Sequence, residues 1–178
     1  MSLLTMKIVQ SPDPALLEVC EPCQTGDKAL VKLGKKMAQA MYKNGGCGLA
    51  APQVGILKRF VVIDCNDPEA EPDPLFLVNP EIVETWGKQV EDLEGCLSLP
   101  GISVPMTRPE WARVRYWDLD GNEQVVESDG LLGRCLQHEI DHLDGKTLLE
   151  SCAPKHRLKA ISDYQAARAA GARPGEVG

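Results

Sequence analysis

Aromatic side chains are scarce in this sequence: two Phe, three Tyr and three Trp make up 4% of its 178 residues. A core must therefore be filled by aliphatic side chains, and a hydrophobic share of 43% is enough for globular folding. Long apolar runs are missing as well. No stretch approaches the roughly 20 apolar residues that a membrane helix needs. Met1–Gln10 has no basic start followed by an apolar run, so no secretory leader is expected. An excess of positive charge is also lacking. The net charge of −7 argues against nucleic-acid binding through a basic surface, because phosphate affinity rests on Lys and Arg. The last thing missing is a disulfide framework. The seven cysteines are an odd number at irregular spacing, which reads as reduced thiols in a cytoplasmic protein. Cys20 and Cys23 form a lone CxxC around Pro22 without two further zinc ligands nearby, and read as incidental loop residues.

What is present organises as one domain over residues 1–178, with no internal repeat and with a frayed tail over 171–178. Leu30, Leu33, Met37 and Met41 recur at spacings of three and four, which predicts a helix over 27–43, capped by Asp27 and ended by Asn44-Gly45-Gly46. Short strands are predicted at 59–64, 75–78 and 81–86, and a hairpin at 111–118 and 123–128 around the turn signal Asp120-Gly121. A helix over 131–143, with Asp129 as cap and Gly145 as stop, precedes a third from Pro154 to about Ala170. The fold class read from this order is α+β: mainly antiparallel short strands around a central helix, with an N-terminal and a C-terminal helix.

The central helix carries His138-Glu139-Ile140-Asp141-His142, an HExxH pattern. Residues four apart on a helix share a face, so two imidazoles can hold one ion while Glu139 reaches a water beside it. Such a short pattern also arises by chance, although two of the three histidines of the chain fall in it. An open catalytic centre takes three protein ligands. Glu94-Gly95-Cys96-Leu97-Ser98 offers Cys96 as a soft thiolate, beside a glycine that lets the backbone come close. Taken alone, Cys96 reads rather as a small buried core residue. The third segment, Gly46-Cys47-Gly48-Leu49-Ala50-Ala51-Pro52-Gln53, combines small residues with the amide of Gln53, and alone it reads equally as a tight turn.

In this order and at these separations, GxGxAAxQ (46–53), EGCxS (94–98) and HExDH (138–142) resemble the three signature motifs of the peptide deformylase family. The resemblance runs from Lys7 to about Ala167. It implies a hydrolase that removes the formyl group from formyl-methionyl nascent polypeptides. Cys96, His138 and His142 would hold one divalent metal ion: ferrous iron in the cell, with zinc, nickel or cobalt in purified samples. Glu139 would carry the proton, and the amide of Gln53 with the backbone N–H of Leu97 would stabilise the developing oxyanion. The peptide would lie extended along Gly46, Cys47, Gly48 and Gly95, with its first side chain in a pocket of Cys47, Leu131, Cys135 and the face of His138. Asp141 points off the metal face, and reads either as an anchor of the helix with Arg108 as partner or as a solvated surface charge.

Two positions depart from the family pattern. Arg134 stands where an apolar residue is usual, and is expected either to extend outward or to face a carboxylate of a substrate or partner chain. Ser103 stands where some relatives have a basic residue. The basic residues Lys155, Arg157, Lys159 and Arg168 of the last helix suit either weak ribosome docking or an ordinary solvated face, and His156 reads as a surface residue. The rival activities are a general HExxH metallopeptidase, a specialised deacylase of a non-methionyl N-formyl substrate, and a non-catalytic metal-binding relative.

Overall fold

A computed structural model describes residues 5–178; residues 1–4, part of the segment read as lacking a leader, lie outside them. One antiparallel sheet runs in the order β1 (Gly48–Ala50), β2 (Phe60–Ile63), β3 (Leu75–Glu94), β4 (Val104–Trp117) and β5 (Glu123–Ser128). The helices are α1 (Ala29–Lys43), α2 (Gly130–Leu143), α3 (Leu148–Ser151) and α4 (Pro154–Ala169). The architecture is mixed helix and antiparallel sheet. Among the described residues no helix is long and apolar enough to cross a membrane.

The two-residue period of a strand explains how the sheet is covered on both sides. Phe60 and Val62 of β2 pack with Leu30, Met37 and Met41 of α1. Val61 and Ile63 point the other way and pack with Leu136, Ile140 and Leu143 of α2. With both faces covered, every β2 position is apolar and buried. Each side chain so buried contributes roughly 1.5–3 kcal/mol. A third cluster joins Leu99, Ile102, Val104 and Met106 to Leu148, Ala160 and Tyr164, and so fixes α3 and α4 near the start of β4.

The strands are not uniformly short. The pattern predicts a break at Asn79-Pro80, but β3 runs through it for 20 residues. Asn79 adopts φ 50° at a register shift between Val78 and Glu81. Its side chain accepts from Cys23 N at 2.7 Å and donates to Cys23 O at 2.9 Å. The bulge so held lets proline sit within a long strand. Gly87, at φ 84°, lies in the third register shift, between Trp86 and Gln89. The partner strand β4 accordingly begins at Val104, well before Trp111.

The ends of the helices shift slightly from expectation. Lys28, not Asp27, is the capping position of α1, yet Asp27 still accepts from Ala29 N at 2.9 Å. Short α3 is absent from the sequence reading. A capping box starts it: Leu149 N donates to Thr147 Oγ1 at 3.1 Å, and Thr147 N to Glu150 Oε2 at 2.7 Å. Cys20 and Cys23 are free thiols buried in the core, which makes them packing residues. The tail is a correction. Residues 173–178 do not stand free: Gly101 N donates to Glu176 O at 2.8 Å, and Ser103 Oγ to Gly178 O at 3.2 Å.

Candidate metal centre

α2 is buried along most of its length, because it packs against the strands of the sheet. His138 and His142 fall one turn apart on it, with ring centroids 5.1 Å apart. Cys96 lies two residues past the end of β3. Its Sγ is 3.4 Å from His142 Nε2, and the ligand atoms of Cys96, His138 and His142 all lie within 4.8 Å of one another. Three such donor atoms facing one point can share one cation. Two imidazoles and one thiolate form a set that zinc and ferrous iron both accept.

A carboxylate sets the orientation of the first imidazole. His138 Nδ1 donates to Glu94 Oε1 at 2.9 Å, which leaves Nε2 with its lone pair free for an ion. Glu94 is itself held by Arg108, whose Nε and Nη2 donate to its two oxygens at 2.7 and 3.0 Å. Arg134 Nη2 adds a further bond to Glu94 Oε2 at 2.8 Å. Burial alone would raise the pKa of Glu94, but the bonds from His138 and Arg108 hold it down at about 2. Arg108 also donates from Nη1 to Asp141 Oδ2 at 2.9 Å, so the expected anchor of α2 is present.

Arg134 takes neither of its expected courses. It turns inward and caps the two long strands, donating to Val90 O at 3.1 Å and Met106 O at 2.7 Å as well as to Glu94. His156 is no ligand of the cluster; it lies near Glu91. On α4, Arg157 donates to Leu149 O and Glu150 O, and so faces the protein.

Glu139 is 4% exposed, and its Oε2 has no hydrogen-bond partner. Burial pushes its pKa up to about 7. A carboxylate that is unpartnered, buried and near neutral in its titration is suited to taking and returning a proton. Gln53 is oriented from behind. Ala50 N donates to its Oε1 at 2.9 Å, so its Nε2 points toward Cys96 Sγ (3.5 Å) and Ser98 Oγ (3.1 Å).

A cleft of about 610 Å³ opens beside these groups. Gln53, Cys96, Leu97, His138 and Glu139 border it, as do Gly46, Cys47, Gly48, Gly95, Leu131 and Cys135. His142, 1% exposed, lies behind it. Leu131 is largely exposed and forms part of the rim. Gly175, Glu176 and Val177 border the same cleft; a Cβ on Gly95 would stand 3.1 Å from Val177 Cγ1.

The glycine at position 48 has a steric reason. A Cβ there would lie 2.5 Å from Glu139 Oε1 and 2.7 Å from Cys135 Sγ. Gly48→Ala is therefore expected to displace the Glu139 carboxylate. The expected result is a fall in kcat of at least about tenfold, the consequence of a misplaced reacting group, with bound metal unchanged. Undiminished kcat would show that the carboxylate has room to move without loss.

The sequence reading did not assign a role to Glu94, although it lies in a quoted motif. The signal available was an acid two residues before Cys96. The thiol of Cys65 was likewise passed over; it lies close to Cys47 and Cys135.

Known proteins share this arrangement of sequence and fold. A family model described as polypeptide deformylase matches residues 5–158. A peptide deformylase of Agathobacter rectalis is 44% identical over 150 residues, covering 84% of this chain and 90% of that protein. One of Rhizobium meliloti is 38% identical over 172 residues, covering 96% and 99%. The crystal structure of a peptide deformylase from Synechococcus elongatus in complex with actinonin aligns with a TM-score of 0.86 at 36% identity, covering 98% of this chain and 95% of that one.

Proposed function

The chain belongs to the polypeptide deformylase family and is a hydrolase that removes the N-formyl group of nascent polypeptides, and we propose that Glu139, Gln53 and Leu97 perform the chemistry beside an ion held by Cys96, His138 and His142. The observation that carries this reading is the convergence of three donor atoms within 4.8 Å next to an unpartnered buried carboxylate, at the wall of an open cleft. When bound, a divalent ion supplies Lewis acidity that lets a water ionise near neutral pH.

The protein side of the reaction follows from position. Glu139 takes the proton of the attacking water at its free oxygen and returns it to the amine as the formyl C–N bond breaks, which leaves formate. The formyl oxygen gains negative charge as its carbon becomes tetrahedral. Gln53 Nε2 and the Leu97 N–H donate to it, and because Ala50 already fixes the amide, no reorganisation is needed at that moment. The peptide runs extended past Gly46, Cys47, Gly48 and Gly95, in the manner of an added strand. Its methionine side chain enters between Cys47, Leu131, Cys135 and the His138 ring, passing beside residues 175–177.

Ferrous iron is the ion we infer in the cell, with zinc, nickel or cobalt replacing it in purified protein, and the cytoplasm is the inferred place of action. A weak ribosome contact would fall to Lys155, Lys159 and Arg168, since Arg157 is turned inward. Arg134 is bonded to Glu94 and strand carbonyls. The feature that motivated a specialised non-methionyl substrate is thus engaged within the protein.

The test is formate release by anaerobically purified protein, with metal content measured alongside. Formyl-Met-Ala-Ser is expected to be turned over, and a blocked internal peptide to stay intact. Cleavage of the internal bond without formate would overturn the reading in favour of a metallopeptidase.

A further inference from the structure

One cluster of nucleophilic side chains takes no part in the proton and oxyanion chemistry above, although two of its members, Cys47 and Cys135, line the cleft. Cys47 directly precedes β1, Cys65 follows the end of β2, and Cys135 sits on α2. The pairing of Gly48 with Ile63 brings the two strand ends side by side, and Asp64 N donates to Cys47 O at 2.9 Å. α2 packs against both strands and delivers the third sulfur. The three Sγ atoms lie within 4.8 Å of one another, with Cys47 and Cys135 4.0 Å apart. All three are free thiols; Cys135 is buried and the other two are half-buried.

We propose that Cys47, Cys65 and Cys135 form a second metal site, built of sulfur alone and suited to monovalent copper. Packing explains a buried thiol singly, as a small hydrophobe, but it gives no reason for three sulfurs from three elements to meet at one point. A disulfide is the poorer fit. Its sulfurs stand about 2.05 Å apart, so Cys47 and Cys135 would have to close roughly half their separation. A trigonal site needs no such movement: with metal–sulfur bonds of about 2.3 Å, three sulfurs at 120° lie about 4.0 Å from one another. The donor set selects the ion. A closed structural zinc site takes four protein ligands, whereas this cluster contributes three sulfurs. Soft thiolates at low coordination number suit Cu(I). Binding releases the thiol protons to solvent. The ion would lie against the cleft wall that Cys47 and Cys135 form, distinct from the mixed sulfur–nitrogen set of Cys96, His138 and His142.

The test uses zinc-loaded full-length protein under anaerobic, reducing conditions, titrated with bicinchoninate-buffered Cu(I). Cys65 does not border the cleft, so Cys65→Ser and Cys65→Ala serve as variants. The expected result is uptake of one Cu(I) with zinc retained, and copper-edge X-ray absorption showing a sulfur-only shell. Both variants are expected to bind at least tenfold more weakly, with formate release in the absence of copper unchanged. Copper that displaces zinc and shows nitrogen neighbours has entered the other site, and overturns the proposal. Uptake equal in the Cys65 variants overturns it too, as does no uptake at all.

Discussion

Glu139→Gln is expected to lower kcat by about 10²–10⁴-fold, the usual contribution of a positioned general acid–base group, while the metal stays bound. The substitution conserves size in a site that is 4% exposed, so neither cavity nor overpacking follows. What changes is the ability to hold a proton. A carboxylate pushed up to about 7 by burial exchanges a proton near neutral pH; an amide cannot. Retention of the ion is expected because Glu139 is not among the three donors that converge. Oε2 has no partner to lose, so the fold should be as stable as before, or slightly more so once an uncompensated buried charge is gone. The checks are kcat on a formyl peptide, metal content and a thermal midpoint, all on one preparation. Metal-loaded variant protein with ordinary kcat would remove Glu139 from the mechanism. Low kcat accompanied by lost metal would make it a supporting residue rather than the proton carrier.

The helices were legible because local periodicity and local punctuation agree. In α1 the stripe at Leu30, Met37 and Met41 is the face that packs on the sheet. In α2 the HExxH spacing places both imidazoles on one side whatever else surrounds them. The long strands were not legible, because proline and glycine carry the same local signal in a bulge as in a turn. Whether the chain turns back at Asn79 depends on Cys23, 56 residues away, which meets both ends of the Asn79 amide. The site divides in the same way. The three donors that converge, Cys96, His138 and His142, sit in motifs and were legible as candidates. The partners of Glu94 come from β4 and from α2 and depend on pairing across the sheet. The tail was read as frayed because it is terminal and polar; the tail itself contributes only backbone carbonyls to its bonds with Gly101 N and Ser103 Oγ, and carbonyls have no signature in the sequence.

The dependence of the metal site on such long-range pairing makes Arg108 the second position with a large expected effect. Arg108 and Glu94 are 7% and 9% exposed and joined by two parallel bonds. Replacing one member of a buried pair leaves the other charge uncompensated, which costs about 3–5 kcal/mol. Arg134 and His138 still touch Glu94, so Arg108→Met is expected at the lower end, about 3 kcal/mol by the same reasoning. The loss should reach the ion as well. Without Arg108 the Glu94 carboxylate can rotate, and the imidazole that it orients through Nδ1 loses its fixed direction. Losing a partner that orients a ligand typically weakens metal binding by about 10–100-fold. Asp141→Asn is the control. It weakens only the outer bond of Arg108, to a carboxylate that is 26% exposed, and should cost well under half as much in stability with little change in metal affinity. Urea unfolding of the metal-free proteins separates the fold from the ion, and chelator competition on the loaded proteins measures the ion alone. An Arg108→Met protein that unfolds at the wild-type urea concentration and holds its metal equally tightly would mean that Glu94 is neutral in the fold, and that His138 is oriented by something other than a charged carboxylate.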